Sequence, residues 1–189
     1  MEKTLRAPAE PNGHESGRLT NPSVVTGLRR TSEFPTSDDA LAGSRYYIGQ
    51  TASITRTVSG ADIGAFAWAT GDINPIHMDE AYASRTRFKR RIAHGMLVGS
   101  YISALLGTTF PGPGTIYMSQ GMRFMRPVYV GDTIKVVATV TAYRPEKQIL
   151  TIRTDCYNQD GEHVITGEAV CLVSDVAEPE GSPAREAAG

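Results

Sequence analysis

Cysteine is scarce in this chain: Cys156 and Cys171 are the only two among 189 residues. Two cannot build a disulfide framework, and neither stands in a CxxC or Cys/His metal-ligand spacing, so no metal site is expected. Apolar runs of membrane length are missing as well. The longest, Met96 to Leu106, is interrupted by Ser100 and Ser103 and reaches about half a bilayer span, so no transmembrane segment is expected. Excess charge of one sign is also absent: 19 Lys and Arg against 20 Asp and Glu leave a net charge of −1. Global attraction to nucleic acid or an anionic membrane is thereby excluded. The amino terminus shows no basic-then-apolar secretory layout, and six basic and six acidic side chains in residues 1–45 make a poor transit peptide. The expected compartment is reducing, most simply bacterial cytoplasm. No internal repeat of solenoid or propeller length is visible.

What is present suits one folded domain with tails: 40% hydrophobic and 21% charged residues, 19 Gly and 11 Pro. Six of the prolines fall in residues 1–45 and 175–189, polar stretches without an apolar period, which are expected to be flexible tails. Residues 46–174 form the expected domain. Inside it, Ser59-x-x-Asp62 resembles a capping box that opens a helix with Ile63, Phe66, Ala67 and Thr70 on one face, closed by Gly71. A loop with Asn74-Pro75 and a short helical turn near Asp79–Ala83 follow. Gly95 to Leu106 is apolar nearly all round, which predicts a buried helix with Gly107 as its stop. After Pro113-Gly114 the period becomes two. Ile134, Val136, Ala138, Val140 and Ala142 share one face, and Arg144–Lys147 makes a turn. Asp160-Gly161 is a two-residue hairpin signal that sets Cys156 opposite Ile165, Ile152 opposite Ala169 and Leu150 opposite Cys171. All six are apolar, so register and pattern agree, and the cysteines stay apart. With a further strand at Thr51–Val58, the expectation is α+β: an antiparallel sheet of about five strands curled around a central helix.

Three polar signals could carry chemistry. In Gly71-Asp72-Ile73-Asn74-Pro75-Ile76-His77-Met78-Asp79, Pro75 interrupts any continuous helix, so Asp72 and His77 can converge across a turn and hold a water. The same residues also fit a plain Asx-turn, with Asp72 and Asn74 capping their own backbone. In Ile92-Ala93-His94-Gly95-Met96, Gly95 opens the buried helix, where unpaired N–H groups can stabilise an oxyanion; close packing alone would also explain a glycine there. Ser103, two turns on, could orient the Asp or bond back to its own helix. Five basic residues, Arg85, Arg87, Lys89, Arg90 and Arg91, lie between the two motifs and suit either a solvated face or a phosphate-bearing ligand.

The segments GDINPIHMDEAYA, RFKRRIAHGMLVGSYISALLG, GTIYMSQGMRFMRPVYVGD and TGEAV together resemble the MaoC-like, (R)-specific enoyl-CoA hydratases of the hot-dog superfamily. The similarity covers most of residues 50–174 and departs from the family pattern at Arg91, where members often carry proline. The resemblance implies a hot-dog domain with the MaoC-type overhang in residues 60–92, acting as a homodimer without metal, flavin or nicotinamide. The implied reaction is reversible syn hydration of a trans-2-enoyl-CoA to the (R)-3-hydroxyacyl-CoA. It also implies Asp72 and His77 as the catalytic pair and the Gly95 N–H as oxyanion donor. Asn74 and Ser103 would support the pair, and the five basic residues would hold coenzyme A phosphates. Asp72 is expected to act as base on the water and His77 to hold it and protonate C2, although the residues alone leave that division open. Rival functions are a hot-dog thioesterase and a non-catalytic acyl-CoA-binding or heteromeric subunit.

Overall fold

The computed structural model describes residues 45–173, and the expected tails at 1–45 and 175–189 lie outside them except for Arg45. The chain runs β1 (Thr51–Thr57), α1 (Gly60–Thr70), α2 (Pro75–Met78), α3 (Glu80–Ala83), α4 (Gly95–Thr108), β2 (Ile116–Phe124), β3 (Thr133–Arg144), β4 (Ile149–Tyr157) and β5 (His163–Leu172). The strands form one antiparallel sheet in the order β1-β3-β4-β5-β2. It wraps α4, as the alternating strands and the apolar helix anticipate.

Core formation follows from that pairing of periods. Leu97, Val98, Ile102, Leu105 and Leu106 of α4 are buried in one cluster with Val136 and Val140 of β3, Ile152 of β4 and Ala169 of β5. Each fully buried aliphatic side chain contributes roughly 1.5–3 kcal/mol. The opposite stripe of α4, Met96, Ser100, Ser103 and Gly107, faces outward in the single chain, so the helix is enclosed on one side only. Gly107 does not stop it. The helix continues to Thr108, because one helical glycine costs only about 1 kcal/mol against alanine and the Thr109 N–H still reaches Leu105.

The capping box forms as expected: Asp62 N–H donates to Ser59 Oγ at 3.1 Å, and Ser59 N–H donates to Asp62 Oδ2 at 2.8 Å. Gly71 ends α1 in the left-handed region at φ 76°. The β4–β5 register places Cys156 opposite Ile165, Ile152 opposite Ala169 and Leu150 opposite Cys171, and both cysteines are buried free thiols.

Two details of the strands differ from the sequence reading. The β4–β5 turn is not a two-residue hairpin: Asn158 N–H bonds to Glu162 O, leaving Gln159, Asp160 and Gly161 as a three-residue loop with Gly161 at φ 76°. A register shift between Cys156 and Tyr157 restores the inner pairing. In β3, Ala142 is exposed rather than buried, because a bulge between Val140 and Ala142 turns the strand by one residue. Tyr143 then packs on the core in its place. A period of two cannot announce a bulge.

Candidate active site

Between α1 and α4 the chain makes two single-turn helices, each begun by a polar cap. Asp72 Oδ1 accepts from Asn74 N–H at 3.3 Å, and Asn74 Oδ1 accepts from Ile76 N–H at 3.2 Å. With Pro75 at the first position, Asn74 therefore caps α2. Asp79 caps α3 by accepting from Tyr82 N–H at 2.9 Å. These caps are the Asx-turns the sequence allows, and they deliver His77 to the end of α2 facing Asp72. The turn reading and the convergence of Asp72 and His77 are thus compatible: the same turns bring the two side chains together.

His77 Nδ1 lies 2.8 Å from the Ile92 carbonyl oxygen. A carbonyl can only accept, so Nδ1 carries the proton and Nε2 of the neutral ring presents a lone pair. Burial holds the His77 pKa below its ordinary 6.5; the Ile92 hydrogen bond opposes this, neighbouring His94 adds to it, and Asp72 opposes it. The ring is neutral at pH 7.

His94, which the sequence reading passed over in favour of its neighbour Gly95, completes the cluster. It is 2% exposed, its Nε2 lies 2.9 Å from the backbone oxygen of Asp72, and its ring centroid is 3.9 Å from that of His77. Phe66 of α1 stands 5.0 Å away from the same ring. The signal that could have found it is a buried histidine at a helix N-cap, a position it does not cap. Donor atoms of Asp72, His77 and His94 all lie within 4.8 Å of one another, a carboxylate and two imidazoles that a divalent ion could use. The two rings, however, face each other at 36°, so their in-plane lone pairs run more alongside than toward one point. His77 Nδ1 and His94 Nε2 donate to carbonyls, which leaves one lone-pair nitrogen on each ring. It is the ring orientation that suits the cluster to hydrogen bonding rather than metal ligation.

Gly95 is the first residue of α4, so its amide and that of Met96 have no partner inside the helix. They open toward a cleft of about 440 Å³ whose lining includes His77, Arg87, Gly95, Phe124, Met125 and Ile165. A Cβ on Gly95 would come within 2.8 Å of the Phe124 ring, so glycine keeps the helix end clear. Ser103 lies on the outward stripe of α4; its hydroxyl has no hydrogen-bond partner among the described residues, and it is absent from the cleft lining.

The basic run is not gathered into one patch. Only Arg87 lines the cleft. Arg91 is held by Glu80 at 3.2 Å, Arg90 lies over the Tyr129 ring at 3.9 Å, and Arg85 leans on Tyr82 at 5.9 Å. Lys89 is exposed and sits at φ 64°, a left-handed turn that splays its neighbours in different directions. One run of charge thus becomes several separate positions, of which Arg87 alone lines the cleft.

A sheet wrapped around one long helix, with an inserted helical segment bearing the polar cluster, is the hot-dog fold. The chain belongs to the MaoC-like domain family, whose profile matches residues 47–158. It is 50% identical over 125 residues to the (R)-specific enoyl-CoA hydratase of Rhodospirillum rubrum, covering 66% of this chain and 86% of that protein. It is 44% identical over 123 residues to the enzyme of the same description from Aeromonas caviae, covering 65% and 92%. Among solved structures it resembles the (R)-hydratase of A. caviae involved in PHA biosynthesis, with TM-score 0.67, 42% identity and coverage of 69% of this chain and 98% of that one.

Proposed function

We infer that this chain is an (R)-specific enoyl-CoA hydratase, a hydro-lyase that adds water reversibly across a trans-2-enoyl-CoA. The observation that carries the reading is the meeting of Asp72 and His77, beside a cleft that opens on the Gly95 amide, in a chain 50% identical over 125 residues to a hydratase. In this reading the thioester carbonyl accepts from Gly95 N–H, which stabilises the enolate as water attacks C3. The water is held by two acceptors, the Asp72 carboxylate and the bare Nε2 of His77. One of them takes its proton as the C3–O bond forms, and the proton then moves to C2 as the enolate collapses. Hydroxyl and hydrogen arrive from one side, so the addition is syn. Because neutral His77 carries its proton on the Ile92 side, it has none facing the water until it accepts one. That favours acceptance over donation in its first step; delivery of a proton to C2 by His77 would follow that acceptance. Asn74 supports the pair by capping α2, and of the five residues of the basic run Arg87 is the one placed for a phosphate of coenzyme A. No cofactor beyond the coenzyme A of the substrate is called for.

The enzyme is proposed to work as a homodimer. β2 is an edge strand with a free side, and Ile116, Met118, Phe124 and Met125 on and beside it are all more than half exposed. A second copy would cover that apolar edge. Among the described residues no helix is long and apolar enough to cross a membrane; the cytoplasm remains the proposed location.

Incubation with crotonyl-CoA and longer enoyl-CoAs, with chiral analysis of the product, tests the function. Loss of enoyl absorbance and formation of the (R)-3-hydroxy product are expected. Release of free coenzyme A without hydration would establish a thioesterase instead, and neither reaction would leave a binding subunit.

A further inference from the structure

We propose that His94 is a positioning residue that locks the water-holding pair to the oxyanion amide, an inference that rests on the hydratase reading of the same site. Four observations carry it. The ring is 2% exposed, so its placement is set by packing rather than by solvent. Its Nε2 lies 2.9 Å from the Asp72 carbonyl oxygen, which fixes the proton on Nε2 and pins the backbone of the loop that presents the Asp72 carboxylate. Its face lies against His77 at a centroid distance of 3.9 Å, with Phe66 at 5.0 Å, so the His77 ring rests on a rigid support. Finally, His94 is joined directly to Gly95, the first residue of α4. One residue therefore joins the carboxylate loop and the second imidazole, through its side chain, to the helix end that offers the amide, through its backbone.

The geometry needs this tie. Asp72 is exposed; apart from the local Ile73 N–H to Gly71 O bond at 3.0 Å, its own contacts are long, Asp72 N–H to Thr70 Oγ1 at 3.3 Å and Asn74 N–H to Asp72 Oδ1 at 3.3 Å. The pair and the amide come from segments separated by the basic loop: Ile92 ties α2 across it, through His77 Nδ1 and the Ile76 carbonyl, and His94 adds the tie to the Asp72 backbone. The remaining ring nitrogen, Nδ1, is buried with no partner among the described residues. With the proton on Nε2 it is an acceptor, and a lone acceptor is better tolerated in a core than a lone donor. An amide side chain of matching length should reproduce the essential bond: the Nε2 of glutamine falls near the Nε2 of histidine, whereas the amide of asparagine falls a carbon short.

The test compares His94→Gln, His94→Asn and His94→Leu with the wild-type chain on crotonyl-CoA, together with amide exchange over residues 71–78. His94→Leu and His94→Asn should each lower kcat by about 10²-fold, the cost of a misplacement near 1 Å, with KM changed less than about threefold. His94→Gln should recover most of that loss. In an Asp72→Asn background His94→Leu should cost less than it does in the wild-type chain, because the part that acts through the Asp72 carboxylate is already removed. Exchange at residues 71–78 should speed up in His94→Leu and stay slow in His94→Gln. Wild-type kcat in His94→Leu, or equal losses in the Gln and Leu variants, would overturn the proposal. If His94→Leu does not fold, the contrast between Gln and Asn decides. If the wild-type chain hydrates no enoyl-CoA, the hydratase reading falls by itself. The exchange comparison then judges the tie separately: unchanged protection in His94→Leu and His94→Asn overturns it.

Discussion

Residues 149–172 and residues 71–95 are stretches of similar length built in opposite ways. In the first, the apolar residues of β4 and β5 largely alternate, and buried side chains such as Leu150 and Cys171, Ile152 and Ala169, and Cys156 and Ile165 face one another across a ladder that starts from a nearby turn. Moving any residue by one place would turn its whole strand inside out, so the register is over-determined. In the second, no apolar period repeats, and polar side chains hold the backbone in short turns. Its cross-connections are few and dissimilar: two histidines reaching carbonyls far off in the chain, Ile92 and Asp72, the Arg91–Glu80 ion pair and single backbone bonds from Ile92 and Ala93. A hairpin of the first kind stores stability in many equivalent contacts. A site of the second kind stores position in a few dissimilar ones, and should lose function long before it loses fold.

The largest expected effect follows from that contrast. Asp72→Asn and His77→Gln should each cut kcat on crotonyl-CoA by about 10²–10⁴-fold, the usual worth of positioned acid–base help, while circular dichroism and melting stay near wild type. A folded variant with near-normal kcat would remove that residue from the reaction.

Gly167→Ala probes the opposite side. A Cβ there would stand 2.2 Å from the Gly121 carbonyl oxygen and 2.7 Å from Gln120 Nε2, so strands β2 and β5 must part to admit it. Unfolding in urea should show a loss of about 1–3 kcal/mol, and the fraction that remains folded should keep its kcat/KM. A stability change below about 0.5 kcal/mol would contradict so close an approach. Gly95→Ala meets only the end of the Phe124 ring, which can swing aside, and should disturb activity more than stability.

Neutralising the basic residues should separate them from one another. Arg87→Ala is expected to raise KM for enoyl-CoA several-fold and to weaken its salt dependence, with kcat little changed, because Arg87 alone of the five lines the cleft. Arg85→Ala and Arg90→Ala, whose guanidinium groups lie on Tyr82 and Tyr129, should do less. A short enoyl-pantetheine, lacking the nucleotide phosphates, should be indifferent to all three.

The pH dependence is expected to be smaller still near neutrality. Burial lowers the His77 pKa below 6.5, so kcat/KM should be flat around pH 7 and decline only on acidification as the ring gains a proton. Stability moves in the same direction. The unfolded chain takes up the proton first, so this group's contribution is intact above pH 6.5 and is lost as pH falls toward the lower folded value. A rate that falls on raising the pH through 7 would point to a protonated His77. The smallest effect is expected from deleting residues 1–40: their polar composition offers little to bury, and activity and melting should be unchanged.

The sequence alone determined the elements and most of the register. Apolar residues recurring with period two or in a continuous helical run leave few ways to remove water from them, and the Ser59–Asp62 cap and glycine turns mark most of the ends. It also supplied the pair Asp72 and His77, because a proline between two such groups forces a turn within five residues. Tertiary structure decided the rest. It placed the bulge that exposes Ala142, it scattered the basic run so that Arg87 alone faces the cleft, and it set His94 against His77. Each of these depends on groups distant in the chain meeting in space: a ladder slipping by one residue, an acid or an aromatic ring within reach of a guanidinium, a buried ring stacked between two helices. Local pattern carries the cost of exposing apolar surface, whereas the identity of a polar side chain's partner is fixed only when the chain has closed around it.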